Sequence, residues 1–140
     1  ETLAELHLVK GITDEVYRAV APYLTVYRNG ATDPLNVNTA DPLVLQTLPV
    51  KEGQGFSFPL DATLVEKVVA ARPFATPTDL NKVFGLEQKV ESQIKDLLNV
   101  RSTHFWVYAE GDAHGVKKAV QAVVDRSAGE PVLRYWRLAD

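Results

Sequence analysis

The sequence predicts an α+β fold, with a helical domain at residues 1–100 and an antiparallel sheet of three strands at residues 101–140. Three observations support this prediction. Up to Val100, apolar residues recur at helical spacing between capping residues and prolines. Part of this helical region is repeated within the chain. After Val100 the apolar spacing changes to strict alternation, which is typical of strands.

Composition narrows the range of functions. A chain of 140 residues is long enough to bury a core in one domain or two small ones. Fifteen Lys and Arg, scattered along the chain, against eighteen Asp and Glu give a net charge of −3, which argues against nucleic-acid binding because phosphate contacts normally leave a basic footprint. The lack of cysteine excludes disulfides and thiolate metal sites. The given residues contain no apolar run long enough to span a membrane and no segment of the signal-peptide type.

Residues 5–26 are repeated without gaps at residues 79–100, an offset of 74. The apolar pairs are Leu6 with Leu80, Val9 with Val83, Ile12 with Leu86, Val16 with Val90, Val20 with Ile94, Leu24 with Leu98 and Val26 with Val100. Each copy is predicted to form a short helix, a glycine (Gly11 or Gly85) that allows positive φ, and a second helix. Because Glu1 is not a methionine and the first copy has no upstream half, we expect the chain to be processed or excised from a longer protein.

Capping residues mark the other helix starts. Thr13 is suited to cap the second helix of the first copy, and Glu87 places an acid in the first turn of the corresponding helix. Between the copies, a glycine-rich loop is predicted from Lys51 to Phe58 and a helix from about Asp61 to Arg72, after which Thr76 caps a further helix. The apolar face of the middle helix consists of Leu64, Val65, Val68 and Val69.

The stretch Asn-Val-Asn-Thr-Ala-Asp-Pro, residues 36–42, has the most detailed local signature. Asp41 is a favourable N-cap, and Pro42 fits the first position of the helix that follows. That helix has a short apolar stripe, formed by Leu43, Leu45 and Leu48. Ahead of it, the short polar side chains of Asn36, Asn38 and Thr39 can bond nearby backbone. With Gly11 and Gly85, these residues form the predicted structural motif of the domain.

Three strands are predicted at residues 103–109, 116–126 and 132–138, with turns at 111–115 and 129–130. Aromatic residues are concentrated in these strands. Alternation places Trp106 and Tyr108 on the face opposite Phe105. Because aromatic residues dominate protein–protein contacts, Trp106, Tyr108 and Trp136 are the candidate partner surface.

No residue pattern indicates catalysis. His7, His104 and His114 are far apart in the sequence and share no ligand spacing. The serines lie outside any nucleophile motif, and no pair of carboxylates stands out. We therefore expect neither enzymatic activity nor a cofactor.

The sequence does resemble a known family. The segment Asn36–Ala40, followed by a capped, leucine-rich helix and Leu48-Pro49, resembles the α-domain of the K-type minor pseudopilin of type II secretion systems (GspK). The order of elements is also similar, including a closing strand at Ser102–Phe105. The resemblance covers nearly the whole chain. The N-terminal helix that anchors that family in the membrane is absent from this sequence.

The resemblance implies a non-catalytic subunit that caps or nucleates the tip of the pseudopilus. It implies other minor pseudopilins as partners, a sheet of pilin type, and helix pairs of helix-hairpin-helix-like or SAM-like form. The expected location is the periplasm, with the full-length protein anchored in the inner membrane. The hairpin around Glu110, Asp112 and His114 could bind a cation. Some pseudopilins bind calcium through oxygen-rich loops, so the resemblance allows for a calcium site somewhere in the chain.

A second resemblance keeps an alternative open. Helix-hairpin-helix modules of competence DNA receptors begin with a similar segment and hold DNA through amides of a tight glycine turn. Here the corresponding stretch, Leu48–Gly53, is longer and contains Glu52, which would repel a phosphate. The turns at Val9–Ile12 and Val83–Leu86 retain a glycine but have few basic neighbours. We interpret all three as packing devices, with a nucleic-acid-binding module as the alternative.

Overall fold

A computed structural model of the chain describes residues 2–27, 34–52, 54–58, 60–83, 85–86 and 94–139. The chain divides into two compact units, residues 1–101 and 102–140. The α-helices are α1 (Asp14–Val20), α2 (Pro42–Gln46) and α3 (Ala62–Ala70). The strands are β1 (Leu35–Asn36), β2 (Val50–Glu52), β3 (Gly55–Ser57), β4 (Leu98–Asn99), β5 (His104–Ala113), β6 (Val116–Asp125) and β7 (Val132–Ala139). The predicted α+β class is confirmed.

Short 3₁₀ helices complete the first unit, at Leu3–Leu8, Ala21–Tyr23, Pro77–Lys82 and Lys95–Leu97. The first helix of each repeat copy is therefore 3₁₀ and not α-helical. In the first copy, α1 is the second helix, and Thr13 Oγ1 accepts a bond of 3.3 Å from Val16 N. The corresponding helix of the second copy, with Glu87 and Val90, lies outside the described residues.

Helix α3 supplies much of the first unit's core. Asp61 caps it by accepting a bond of 2.8 Å from Leu64 N. Val65 and Val68 are each 1% exposed, and Leu64 and Val69 pack partly against the core. The predicted apolar face is thus correct. The buried core residues of this unit are Val37, Ala40, Leu45, Val50, Leu60, Val65, Val68, Phe74, Leu80, Val83, Leu86, Ile94 and Leu98.

The prediction that residues 1–100 are helical is wrong at two places. Strands β1 and β4 form a parallel pair, in which Leu35 lies opposite Leu98 and Asn36 opposite Asn99. Strands β2 and β3 form an antiparallel hairpin within the stretch predicted to be a loop. Both pairs are two or three residues long, so no periodicity could reveal them. Leu24 has extended backbone angles, but residues 24–27 form no strand.

The second unit is an antiparallel sheet in the order β5–β6–β7. Strand β5 continues through Gly111 to Ala113, so the predicted five-residue turn at 111–115 is too long. The chain reverses at His114 and Gly115, which both have positive φ (54° and 82°). Such a two-residue turn matches the twist of the flanking strands, and histidine is among the residues that tolerate positive φ.

Among the described residues, no helix combines the length and the apolar character that crossing a bilayer requires.

The burial of α2 predicts a contrast between two leucines of the same helix. Leu45 is fully buried, whereas Leu43 is 47% exposed. Because Leu45→Ala leaves a cavity, we expect it to lower the free energy of unfolding by about 2–5 kcal/mol. The matched control, Leu43→Ala, should change it by about 1 kcal/mol or less. Urea denaturation of both variants measures the difference, and equal losses would contradict the position of α2.

Candidate functional site

The segment before α2 is held by Asn38, whose side chain bonds to two distant parts of the chain. Its Oδ1 accepts a bond of 2.7 Å from Phe74 N, and its Nδ2 donates to Phe74 O at 2.9 Å. Nδ2 also lies 3.4 Å from Val100 O. The expectation that this side chain bonds nearby backbone is therefore wrong. The amide sits between the end of α3 and β4, where its donor and acceptor satisfy both backbone groups of Phe74.

The neighbouring residues bond locally. Asn36 Oδ1 accepts from Asn38 N at 3.0 Å, and Asn36 O accepts from the amides of Thr39 (3.2 Å) and Ala40 (2.9 Å). Asp41 Oδ1 accepts from Leu43 N at 2.8 Å, and Pro42 is the first residue of α2. These bonds fix a tight turn ahead of the helix.

Arg72 also holds this segment, although sequence analysis did not single it out. Its Nη2 donates a bond of 2.7 Å to Ala40 O. Burial lowers the pKa of Arg72, and the nearby charge of Asp41 opposes that effect. Basic residues are common at the ends of helices, so no local signal in the sequence marks the role of this arginine.

In each of the two glycine turns of the repeat, a backbone amide donates a hydrogen bond within the turn. Gly11 and Gly85 have φ of +95° and +93°. Ile12 N donates to Val9 O, and Leu86 N donates to Val83 O, each at 3.1 Å. A phosphate would have to compete with these bonds for the amides of Ile12 and Leu86.

The register of the sheet separates the three aromatic residues of the predicted partner surface. Trp106 lies opposite Val123, which lies opposite Tyr135, whereas Trp136 lies opposite Ala122. Since directly opposed residues share a face and successive residues alternate, Trp106 and Tyr108 lie on one face and Trp136 on the other. The prediction that all three aromatic residues share one surface is therefore wrong. The register between β6 and β7 shifts between Val123 and Val124. This shift adds one residue to β7, which moves the later side chains of that strand to the opposite face.

The face with Trp136 is strongly apolar. We call it the apolar face and define it by its large exposed apolar members, which are Phe105, Val107, Val116, Leu133, Trp136 and Leu138. The opposite face mixes aromatic with polar groups. There, Tyr108 OH donates to Glu110 Oε2 at 3.2 Å, an interaction that raises the pKa of Tyr108. Arg137 donates two bonds, of 2.9 and 2.8 Å, to Gln121 Oε1. A contiguous exposed apolar surface is typical of an interaction site.

A buried carboxylate connects the ends of the three strands. Asp125, 2% exposed, accepts a bond of 2.7 Å from Ser127 N. Arg134 donates two bonds to its Oδ2, at 3.0 and 2.7 Å, and His104 Nε2 lies 3.8 Å away. The hydrogen bonds from Ser127 and Arg134, with the charge of His104, hold the pKa of Asp125 well below its usual range. This cluster is a structural centre of the sheet, because the partners of the carboxylate come from β5, β7 and the residues after β6.

The described residues hold no group of three or more His, Cys, Asp and Glu side chains arranged for a metal. At the candidate cation hairpin, Asp112 Oδ1 accepts from Gly115 N at 3.0 Å, and Glu110 lies 3.5 Å from Lys117 Nζ. Both carboxylates thus have protein partners. Calcium binding stays a prediction.

No protein-family profile and no curated protein matches this sequence. Among solved structures, the chain is similar to one in the GspK–GspI–GspJ complex of the type 2 secretion system from enterotoxigenic Escherichia coli, with a TM-score of 0.67 and 14% identity. The similarity covers 99% of this chain and 48% of that chain. This chain therefore spans about half the length of its structural neighbour. At this identity, the similarity establishes a common fold.

The bonds of Asn38 predict a large effect of a small substitution. Asn38→Ala leaves Phe74 N and O without their partner, so we expect a loss of about 1–3 kcal/mol in the free energy of unfolding. Asp41→Ala removes only a helix cap and should cost about 0.5–2 kcal/mol. The control is Asn81→Ala, at an exposed asparagine of the same unit, which should stay within about 0.5 kcal/mol. Urea denaturation measures all three, and a neutral Asn38→Ala would refute the contacts with Phe74.

The lowered pKa of Asp125 predicts acid sensitivity. A carboxylate with a depressed folded-state pKa stabilises the protein above its unfolded pKa of about 3.9, and this contribution is lost as pH falls toward the folded value. Asp125→Asn should therefore lower the melting temperature at pH 7 and flatten its decrease below about pH 4. Part of the decrease in melting temperature should remain in Asp125→Asn, because Asp79 is unchanged. Hydrogen bonds from Lys82 and the Thr76 amide lower the pKa of Asp79 to about 2. Melting curves between pH 2 and 7 test this, and parallel curves for both proteins would contradict it.

Proposed function

We propose that this chain is a domain of a non-catalytic minor pseudopilin of the K type, acting in type II protein secretion. The observation that carries the proposal is the agreement between fold and motif. The fold similarity extends over 99% of the chain, and the segment Asn36–Ala40, by which the sequence resembles this family, forms a bonded element at the centre of the first unit. In this role the protein would cap or nucleate the pseudopilus tip from the periplasm, with the full-length form anchored in the inner membrane.

The geometry favours an interaction role. The polar side chains of Asn38 and Asp125 bond to backbone and to structural side chains. A group of exposed apolar side chains lies together on the apolar face. The similar solved structure is a complex of GspK with GspI and GspJ. We therefore propose minor pseudopilins of the I and J types as the partners, and the apolar face as a surface that contacts them.

A matched pair of substitutions tests this assignment. Trp106 and Trp136 are both 59% exposed but lie on opposite faces. Because a charge in an apolar interface is costly, Trp136→Arg should weaken binding to a purified complex of I-type and J-type pseudopilins by about tenfold or more. Trp106→Arg, the control, should bind as the unchanged protein does. Surface plasmon resonance measures both affinities, and thermal melting confirms that both variants fold.

Two outcomes would contradict the proposal. Equal weakening by the two substitutions, or by Trp106→Arg alone, would refute the apolar face as the contact surface. Micromolar, salt-sensitive binding to DNA without any binding to pseudopilins would favour the alternative, a helix-hairpin-helix module. A fluorescence titration of the chain against duplex and single-stranded DNA at low salt distinguishes these cases.

A further inference from the structure

Strand β7 contains one residue more than its pairing with β6 requires. Val124 lies opposite Leu133, whereas Val123 lies opposite Tyr135, so Arg134 is the additional residue between the two pairs. An additional residue of this kind interrupts the backbone pairing of its strand. A regular pairing, without the interruption, would be the simpler arrangement for the backbone.

The regular pairing would still fit within β6. If the pairing before the shift continued without an additional residue, Arg134 would lie opposite Val123 and Ala139 would lie opposite Lys118. Lys118 belongs to β6, so no backbone pairing would be lost at the end of β7. We call the observed pairing the bulged register and the alternative the regular register. The side chains must decide between them.

The ion pair between Arg134 and Asp125 does not decide the register. Arg134 Nε and Nη2 donate bonds of 3.0 and 2.7 Å to Asp125 Oδ2. In the regular register Arg134 would lie opposite Val123, which shares a face with Asp125 because residues two apart on a strand point to the same side. This ion pair is therefore compatible with both registers, and the choice depends on the residues that follow Arg134.

The later side chains of β7 favour the bulged register. In this register Trp136 lies opposite Ala122 on the apolar face, and Arg137 lies opposite Gln121 on the other face. Arg137 Nε and Nη2 donate bonds of 2.9 and 2.8 Å to Gln121 Oε1. The regular register would exchange the two faces, since a shift of one residue reverses every side chain. Arg137 would then lie opposite Val120 on the apolar face, and Trp136 would leave that face.

We propose that Gln121 and Arg137 hold β7 in the bulged register and thereby determine which residues form the apolar face. Arg137 opposes the regular register in two ways, because that register breaks its charge-assisted bonds and places its charge among apolar side chains. Both residues are positioning residues, since they lie on the face opposite to the one that they organise. The register itself does not depend on the proposed function, whereas its consequence for pseudopilin binding does.

Because the chain contains no cysteine, introduced cysteines can measure the register by disulfide formation. Ala119 lies opposite Ala139 in the bulged register and would lie opposite Leu138 in the regular one. A disulfide requires side chains that point toward each other, so neighbours on opposite faces are not bridged. The double variant Ala119→Cys with Ala139→Cys therefore reports the bulged register, and Ala119→Cys with Leu138→Cys reports the regular one. Glutathione buffers of known composition give the cross-linked fraction of each.

With Arg137 in place, we expect the pair at 119 and 139 to cross-link more readily. Arg137→Val should reverse this order and change the ratio of the two cross-linked fractions by about tenfold or more, because both bonds and the charge are lost. Gln121→Val, which removes only the bonds, should change the ratio less, in the same direction. The control is Lys117→Val, which removes another cation of the same face whose ion pair is with β5. It should leave the ratio unchanged.

Three outcomes would overturn the proposal. These are an unchanged ratio in Arg137→Val, an equal change in Lys117→Val, and loss of the strand signal of Arg137→Val in circular dichroism, which would show that no regular register is stable. Binding to the complex of I-type and J-type pseudopilins is measured separately, and Arg137→Val should weaken it as Trp136→Arg does. If the unchanged chain does not bind that complex, the proposed function fails, and the cross-linking still decides the register.

Discussion

The first unit depends on the attachment of one extended segment, Leu35–Asn38, to the end of the second repeat copy. Strand pairing supplies the backbone bonds, Val37 supplies the buried side chain, and Asn38 connects the segment to Phe74 and Val100. Each of these interactions contributes little stability by itself, since a parallel pair of two residues per strand is only marginally stable. Together they join α2, the end of α3 and β4 around one core. An asparagine suits this position because its amide both donates to and accepts from the same backbone residue.

Much of the first unit could be predicted from sequence where neighbouring residues decide the structure. The caps at Thr13, Asp41 and Asp61 depend on bonds to amides two or three residues away, which any helix start provides. The partner of Asn38 lies 36 residues away and depends on how α3 packs. The same limit applies to Arg72, whose carbonyl acceptor belongs to the loop before α2.

The sheet shows a different limit. Alternation within β5 correctly separates Phe105 from Trp106, since both lie on one strand. The face of Trp136 depends on its register with β6, and the irregularity beside Val123 changes that register by one residue. With regular pairing, Trp136 would lie on the face of Trp106 and Tyr108. Alternation in a single strand does not reveal a bulge. The residues that share a face could therefore be identified only from the pairing of the strands.

The separation between Asn38 and Val100, 62 residues along the chain, has a consequence for folding during synthesis. Contacts between distant residues form late, because the intervening chain must be placed first. While the ribosome is still adding residues 39–99, Val37 has been made but β4 has not. Local helices such as α1 and α2 carry their caps with them and can form during this interval. The pairing of Leu35 and Asn36 with β4, and the part of the core that it encloses, can therefore form only after the end of the second repeat copy has emerged.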